Sequence, residues 1–472
     1  MKQHNLYGGA SLFGGMCIQL FVGSQYIWGN IKGYVTSYFR QFEPELDLSS
    51  TFILFPVLII TTTFLMSIGG LMARKMHPKL WIGIGASISL VSILIASFVQ
   101  RFWLFVIFYG FGYGLGSAIM YIVPVVCGWE YFPNHKGLVS GVVIGAFGFG
   151  SFIFNLVSTA LINPNNIPDE EGLFPREVYE NVPRALRIML GCWTGLSVIW
   201  LLTISRPSKQ EVDNSGEGSN AELRVRLTRE NINSSNLTTG ISTDTESPQI
   251  ENHIKEQELS FKECLKSSQF SLLFIMMYLS IFYGYFIANV YKDFGELYIK
   301  DDRFLTLIGA LSAAWAGFRF IWSFMMQKLS FKMVYSIMLV LQILVAVTIN
   351  WSVRNRYSYL VSICLTIWIE GGHFTTLPTV CGKLYGMKGT QVFTIIFWSF
   401  GLSSMSGVFV VKVLLHRVFG FSTMFFIWAG MTAISLIILL TFFREDSLIE
   451  KHKIESKMRI KSIQSDSIEV KI

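Results

Sequence analysis

Twelve long apolar runs constrain this chain more than any other feature of its sequence. A helix needs about 20 predominantly apolar residues to cross the hydrocarbon core of a bilayer. Runs of that length recur along the 472 residues, with polar segments between them. We therefore predict twelve membrane spans, numbered 1 to 12 in chain order, at residues 8–29, 51–73, 80–99, 103–126, 138–161, 186–204, 270–290, 305–327, 333–350, 358–382, 390–413 and 421–443.

The composition excludes a soluble protein for most of the chain. Hydrophobic residues make up 52% and charged residues only 15%, against about 25% charged residues in an average soluble domain. The net charge of +7 does not indicate nucleic-acid binding, because no basic stripe interleaves with exposed aromatic residues. The six cysteines are scattered without CxxC or cysteine–histidine spacing, so neither disulfides, a metal site nor a cofactor is expected.

A long polar segment separates spans 6 and 7. It is rich in Ser, Asn, Thr and Glu, which is typical of a flexible linker. We divide the chain into an N-terminal six-helix half at 1–204, a linker at 205–268, a C-terminal six-helix half at 269–443 and a tail at 444–472. The short loops after spans 2, 4, 8 and 10 carry eight basic residues and one acid. This bias favours termini and linker in the cytoplasm, in either the plasma membrane or an organelle membrane.

An internal repeat supports two related halves. The sequence PVVCG at 124–128 recurs as PTVCG at 378–382, an offset of 378 − 124 = 254 residues. The end of span 2, at 69–74, aligns with the end of span 8, at 323–328, at the same offset. A shared spacing between two unrelated segments predicts a duplication of six spans, with the halves related by an axis along the membrane normal.

Four motifs in or beside the spans point to a known family. They are GSQYIWG at 23–29, YGFGYGLG at 109–116, WEYFP at 129–133 and EGGHFTTLP at 370–378. Together they resemble the major facilitator superfamily and, within it, the branch of oxalate–formate antiporters and monocarboxylate porters. The resemblance implies an all-α membrane protein with twelve transmembrane helices in two six-helix halves.

The chain departs from the family pattern at informative positions. Ala73 and Gln327 stand where the loop motifs of the superfamily have an acid, and Met76 stands for a glycine. The dicarboxylate-selective members of the branch have a lysine in the middle of span 11, where this chain reads FWSFG at 397–401. The resemblance therefore favours a monocarboxylate over a dianion.

Away from the span ends, where Arg187 and Lys412 lie, the charged side chains and histidines inside the predicted spans are Arg319, Glu370 and His373. An intramembrane charge costs at least ~2.5–3.5 kcal/mol, so each should face a cavity or a partner. The planar guanidinium of Arg319 suits a carboxylate. The resemblance implies the same role, because members of the branch bind substrate through an arginine at this position of span 8. The alternative is that Glu370 or backbone carbonyls hold Arg319 in place.

Glu370 lies near the middle of span 10, where a carboxylate that binds and releases a proton would couple transport to a proton gradient. A constant salt bridge with Arg319 is the structural alternative. His373 follows at i+3 on the same helical face, as a proton relay or as a hydrogen-bond partner of a neighbour. In span 1 we predict that Tyr26 and Gln25 contact the substrate.

We therefore predict a secondary active transporter of a small organic anion, preferably a monocarboxylate. It would work by alternating access with proton coupling or anion exchange, as a monomer in the lipid bilayer and without a nucleic-acid partner. A transporter-like nutrient receptor that signals through linker and tail is one alternative, and a carrier of another small solute such as an amino acid is a second. A membrane enzyme is disfavoured, because His77 and His135 in the loops have no catalytic partners in the sequence.

Overall fold

The computed structural model describes residues 2–73, 75–167, 173–207, 260–299, 301–409 and 420–445. Eleven helices in these ranges are long and apolar enough to cross a bilayer. Most of the predicted linker and almost all of the predicted tail lie outside the described residues. The domain boundaries drawn through them stay predictions.

The eleven long helices coincide with predicted spans 1 to 10 and 12. Their bounds are Leu6–Arg40, Leu54–Met72, Pro78–Ala96, Phe102–Tyr131, Lys136–Ile162, Arg176–Thr203, Ser268–Lys292, Phe304–Lys328, Phe331–Ser352, Arg356–Tyr385 and Phe421–Thr441. Span 11 consists of two shorter helices, Gly389–Ile396 and Trp398–Phe409.

Span 11 thus differs from the continuous run predicted over 390–413. Its helix is interrupted at Phe397, whose ring stacks on Tyr121 of span 4 with centroids 5.9 Å apart and packs edge-on against Phe374 of span 10 at 5.5 Å. These tertiary contacts accompany the break, and a hydropathy pattern cannot register them. The last four residues of the predicted run lie outside the described part of the chain.

Span 1 is longer than predicted. After a 3-10 turn at Ser24–Ile27, a second helix runs from Trp28 to Arg40, eleven residues past the predicted end at 29. This second helix contains charged and polar residues such as Lys32 and Arg40, so the apolar run stops although the helix continues. Its buried face packs inside the bundle through residues that include Ile31, Tyr34 and Val35.

The two halves of the bundle contact each other in the middle of spans 5 and 8, where a Cβ atom added to Gly148 would lie 2.5 Å from the Gly317 backbone nitrogen, and also at one end. We call this end the linker face, because span 6 ends and span 7 begins there. A Cβ atom added to Gly141 of span 5 would lie 2.8 Å from Cβ of Ser323 in span 8. A Cβ atom added to Gly382 of span 10 would lie 3.3 Å from the ring of Trp129 in span 4. The halves are therefore closed together at the linker face.

Two tyrosines fasten the chain on either side of the linker. Tyr131 ends span 4 and shares a hydrogen bond of 2.8 Å with the hydroxyl of Ser205. Tyr385 ends span 10 and shares one of 2.9 Å with the hydroxyl of Ser267. The two tyrosines are 385 − 131 = 254 residues apart, the same offset as the internal repeat. Each half thus uses the equivalent residue to hold its end of the linker.

We expect Tyr131→Phe and Tyr385→Phe each to destabilise the protein by about 0.5–1.5 kcal/mol, the net contribution of one neutral hydrogen bond. The effects should add in the double variant, because the sites lie in different halves. Thermal unfolding of the purified protein in detergent measures the change. Tyr7→Phe is the matched control, since the Tyr7 side chain is exposed. Unchanged melting temperatures in all variants would contradict the role given to the two bonds.

Candidate functional site

A cavity of about 350 Å³ lies between the two halves. Spans 1 and 5 form one wall, and spans 7, 8 and 10 form the other. It extends from Arg319 and Glu370 to Thr159 and Thr306, which lie about one turn from the helix ends at the face opposite the linker. This volume is typical of small-molecule sites, which span about 300–1,000 Å³.

Arg319 lies at a break in span 8. One helix ends at Gly317 and the next begins at Phe320, so the Arg319 backbone belongs to neither. The Arg319 Nε–H donates a 2.6 Å hydrogen bond to the carbonyl of Ala316, which also accepts a 3.3 Å bond from the Arg319 backbone N–H. The interruption therefore both turns the side chain inward and gives it one fixed contact.

The guanidinium of Arg319 is buried, with only 4% of the residue exposed. Its carbon lies 5.5 Å from the ring centre of Phe147 in span 5 and 5.8 Å from that of Phe374 in span 10. Among the described residues, its Nη1 atom has no hydrogen-bond partner. A buried donor without a partner is costly, and a charged donor is best satisfied by an anionic acceptor.

Glu370 lines the same cavity from the middle of span 10, with 6% of the residue exposed. Its side chain lies against Gly284 of span 7: a Cβ atom added there would come within 2.7 to 2.9 Å of the Glu370 side-chain carbons. In the described part of the chain, the ion pairs within 4.0 Å do not include Glu370 with Arg319. The salt bridge considered as an alternative is therefore absent in this conformation.

Tyr26 also lines the cavity, from the 3-10 turn of span 1. Its ring packs edge-on against Phe55 at 5.2 Å and against Phe147 at 5.4 Å. It shares the lining of the cavity with Arg319 and Glu370. The turn between the two helices of span 1 thus places an aromatic group with a polar tip in the same cavity as the two charges.

Gln25 and His373 do not line the cavity. The Gln25 side-chain oxygen accepts a hydrogen bond of 3.5 Å from Thr62 in span 2. His373 is fully buried within its own half, where its Nε2 atom lies 2.9 Å from the Ser280 hydroxyl and its ring packs edge-on against Tyr335. The predicted substrate contact of Gln25 and the predicted proton relay of His373 stay predictions, without a contact in this conformation to support them.

Sequence reasoning missed several residues that shape the site. Phe147 and Phe374 flank the guanidinium, but in the sequence they look like ordinary apolar residues of a span. In the outer part of the cavity, the Asn30 amide donates a 2.7 Å hydrogen bond to the Thr159 hydroxyl. The i, i+4 spacing of Asn155 and Thr159 on one face of span 5 was the available signal for this polar wall.

The sequence model of the Major Facilitator Superfamily matches residues 12–392. The chain belongs to the major facilitator superfamily. Apicoplast pyruvate carrier 1 of Toxoplasma gondii is 22% identical, over 93% of this chain and 89% of the carrier. The uncharacterized transporter YhjX of Escherichia coli K12, also of this superfamily, is 19% identical over 84% of this chain and 85% of its own length.

Solved structures of superfamily transporters share the fold. The proton:xylose symporter XylE bound to 6-bromo-6-deoxy-D-glucose has a TM-score of 0.63 at 14% identity, over 95% of this chain and 99% of the symporter. The transporter FucP in its outward conformation has a TM-score of 0.59 at 11% identity, over 92% and 98% of the two chains. The predicted all-α membrane fold of two six-helix halves is confirmed. The protein is an integral, multi-pass membrane transporter.

Proposed function

We propose that this transporter carries a small monocarboxylate by alternating access, coupled to protons or by anion exchange. The observation that carries the proposal is the Nη1 atom of Arg319, a charged donor without a hydrogen-bond partner among the described residues, in a cavity between the halves. A substrate carboxylate would satisfy that donor and neutralise the buried charge. Phe147 and Phe374 would enclose a short apolar chain beside it.

Two further findings favour one carboxylate over two. Among the described residues that line the cavity, Arg319 is the one cation, whereas a dianion would favour two. Phe397 and Phe400 occupy the part of span 11 where the dicarboxylate-selective relatives have a lysine. The similarity to an apicoplast pyruvate carrier points to the same class of substrate.

The proposed cycle assigns a task to each cavity residue. With the linker face in the cytoplasm, as the basic loops favour, the cavity faces the other side of the membrane and receives the anion there. Arg319 binds its carboxylate, Tyr26 offers a phenolic hydroxyl to it, and Glu370 carries the coupled proton. When the charges of Arg319 and Glu370 are neutralised, less free energy is needed to enclose the site in the low-dielectric interior while its access changes sides. The halves then rock, and the contacts between spans 5 and 8 at the linker face separate.

An amino acid is the second candidate substrate. Arg319 and Glu370 are an unpaired cation and anion in one cavity, and this pair also suits a zwitterion with a carboxylate and an ammonium group. In that case Glu370 would bind the substrate directly instead of a coupled proton. The two candidates therefore predict different substrates for the same geometry.

Uptake into proteoliposomes tests the proposal. Labelled pyruvate, acetate, oxalate and alanine are offered in turn, with and without an inward proton gradient. We expect uptake of pyruvate and little uptake of oxalate or alanine. Preferred uptake of alanine would select the second candidate. Failure to transport any carboxylate, by a reconstituted protein shown to be folded, would contradict both.

A further inference from the structure

Glu370 and Arg319 face one cavity with opposite charges but form no ion pair within 4.0 Å among the described contacts. In a low-dielectric site such charges attract strongly, and an ion pair would satisfy the unpartnered Nη1 atom of Arg319. The packing around each side chain accounts for their separation.

The side chains of Glu370 and Arg319 pack against different neighbours. Glu370 lies against span 7, while the next residue, Gly371, lies under Arg319: a Cβ atom added to Gly371 would be 3.0 Å from Nε of Arg319. The two groups therefore lie at adjacent levels of span 10, but each packs against a different glycine. The Arg319 guanidinium packs against Gly371 of span 10, and the Glu370 side chain packs against Gly284 of span 7.

Gly284 provides space that no other residue type would leave. A Cβ atom at this position would lie 2.7 Å from Cβ, 2.8 Å from Cγ and 2.9 Å from Cδ of Glu370. These distances are shorter than any that packed carbon atoms adopt, so even alanine would push span 10 away from span 7 at Glu370 and turn the rest of the Glu370 side chain aside. The hydroxyl of the neighbouring Tyr285 accepts a 2.8 Å hydrogen bond from Ser404 in span 11, and the hydrogen bonds among the described residues do not join Tyr285 to Glu370.

We infer that Gly284 is a positioning residue that keeps the Glu370 carboxylate away from Arg319 and so leaves the guanidinium free for the substrate anion. The inference rests on the proposed function, since it assigns Arg319 to the substrate carboxylate. A methyl group at position 284 would move Glu370 off span 7 and bring its carboxylate closer to Arg319 within the cavity that both line. There its carboxylate would compete with the substrate for Arg319.

The test measures equilibrium binding of labelled pyruvate to the purified transporter in lipid nanodiscs at one pH. We expect Gly284→Ala to weaken binding at least about tenfold, the effect of one competing charged hydrogen bond. The double variant Gly284→Ala with Glu370→Gln should recover most of the affinity, because an amide does not form the ion pair. Gly430→Ala is the matched control, since nothing lies within 4 Å of a Cβ atom there.

The double variant separates the two ways in which the methyl group could act. A simple displacement of span 7 would weaken binding whether residue 370 is Glu or Gln. Weak binding that persists in the double variant would therefore overturn the inference, as would unchanged affinity in Gly284→Ala alone. If Gly284→Ala does not fold, Glu370→Gln in the otherwise native chain decides. An affinity gain of about tenfold there would mean that the carboxylate already competes for Arg319, and the inference would be wrong.

Arg319→Ala is measured in the same assay to keep the two proposals apart. Undiminished pyruvate binding by Arg319→Ala would contradict the proposed function itself. Loss of binding in Arg319→Ala, together with no effect of Gly284→Ala, would contradict only the role of Gly284.

Discussion

Arg319→Ala should reduce carboxylate uptake by about 30-fold or more, because removing one partner of a buried charge pair costs about 2–5 kcal/mol. The guanidinium is 4% exposed and has an unused donor, so the substrate carboxylate would lose its principal partner. Initial uptake rates of labelled pyruvate in proteoliposomes measure the effect. Arg354→Ala is the matched control, since Arg354 is exposed in a loop.

Arg319→Lys should be intermediate. Lysine keeps the positive charge but lacks the planar fork that binds a carboxylate through two parallel hydrogen bonds. It also lacks the Nε–H group that donates to the Ala316 carbonyl and orients the side chain. We therefore expect a higher KM for the carboxylate with a smaller change in kcat.

The double variant Arg319→Ala with Glu370→Gln tests whether Arg319 is only structural. If Arg319 served to neutralise Glu370, removing both charges would restore a balanced site and normal uptake. We expect the double variant to insert and fold but to stay inactive. Recovery of normal carboxylate uptake would mean that the anion binds elsewhere.

The sequence predicts the spans well because hydropathy reports directly on contact with lipid. It fails where a helix is held by protein contacts instead. Span 1 continues to Arg40 through an amphipathic segment packed inside the bundle. Span 11 breaks at Phe397, which contacts Tyr121 of another span. Both differences come from tertiary packing, which the hydropathy of a local sequence window does not report.

For the site, the scarcity of charge was the strongest signal. Arg319 and Glu370 stand out among apolar neighbours, and both line the cavity. A buried polar side chain that forms its hydrogen bonds away from the cavity gives the same signal in the sequence. This is the case for His373, which lies beside the hydroxyl of Ser280. Gly284 gives no signal at all, because its importance lies in the atoms it lacks and in a residue 370 − 284 = 86 positions away.

Glu370→Gln should remove pH-driven accumulation of the substrate. Glutamine has the shape of a protonated glutamic acid but neither binds nor releases a proton, so the cycle would lose its coupling step. Each unit of pH gradient supplies about 1.4 kcal/mol per proton, which drives at most about tenfold accumulation. We expect the native protein to approach that ratio and the variant to equilibrate without accumulation, measured with labelled pyruvate at one unit of inward gradient.

The control for this experiment is Glu45→Gln, which removes an exposed carboxylate in the loop between spans 1 and 2. The charged and titratable side chains that share the described cavity lining with Glu370 are Arg319 of span 8, Tyr26 of span 1 and Tyr291 of span 7. The last two are phenols that stay protonated near neutral pH, so the carboxylate is the group suited to carry the proton. Accumulation by Glu370→Gln at the native rate would exclude Glu370 as the proton site. Transport would then have to depend on exchange or on another ion, with Arg319 still binding the anion.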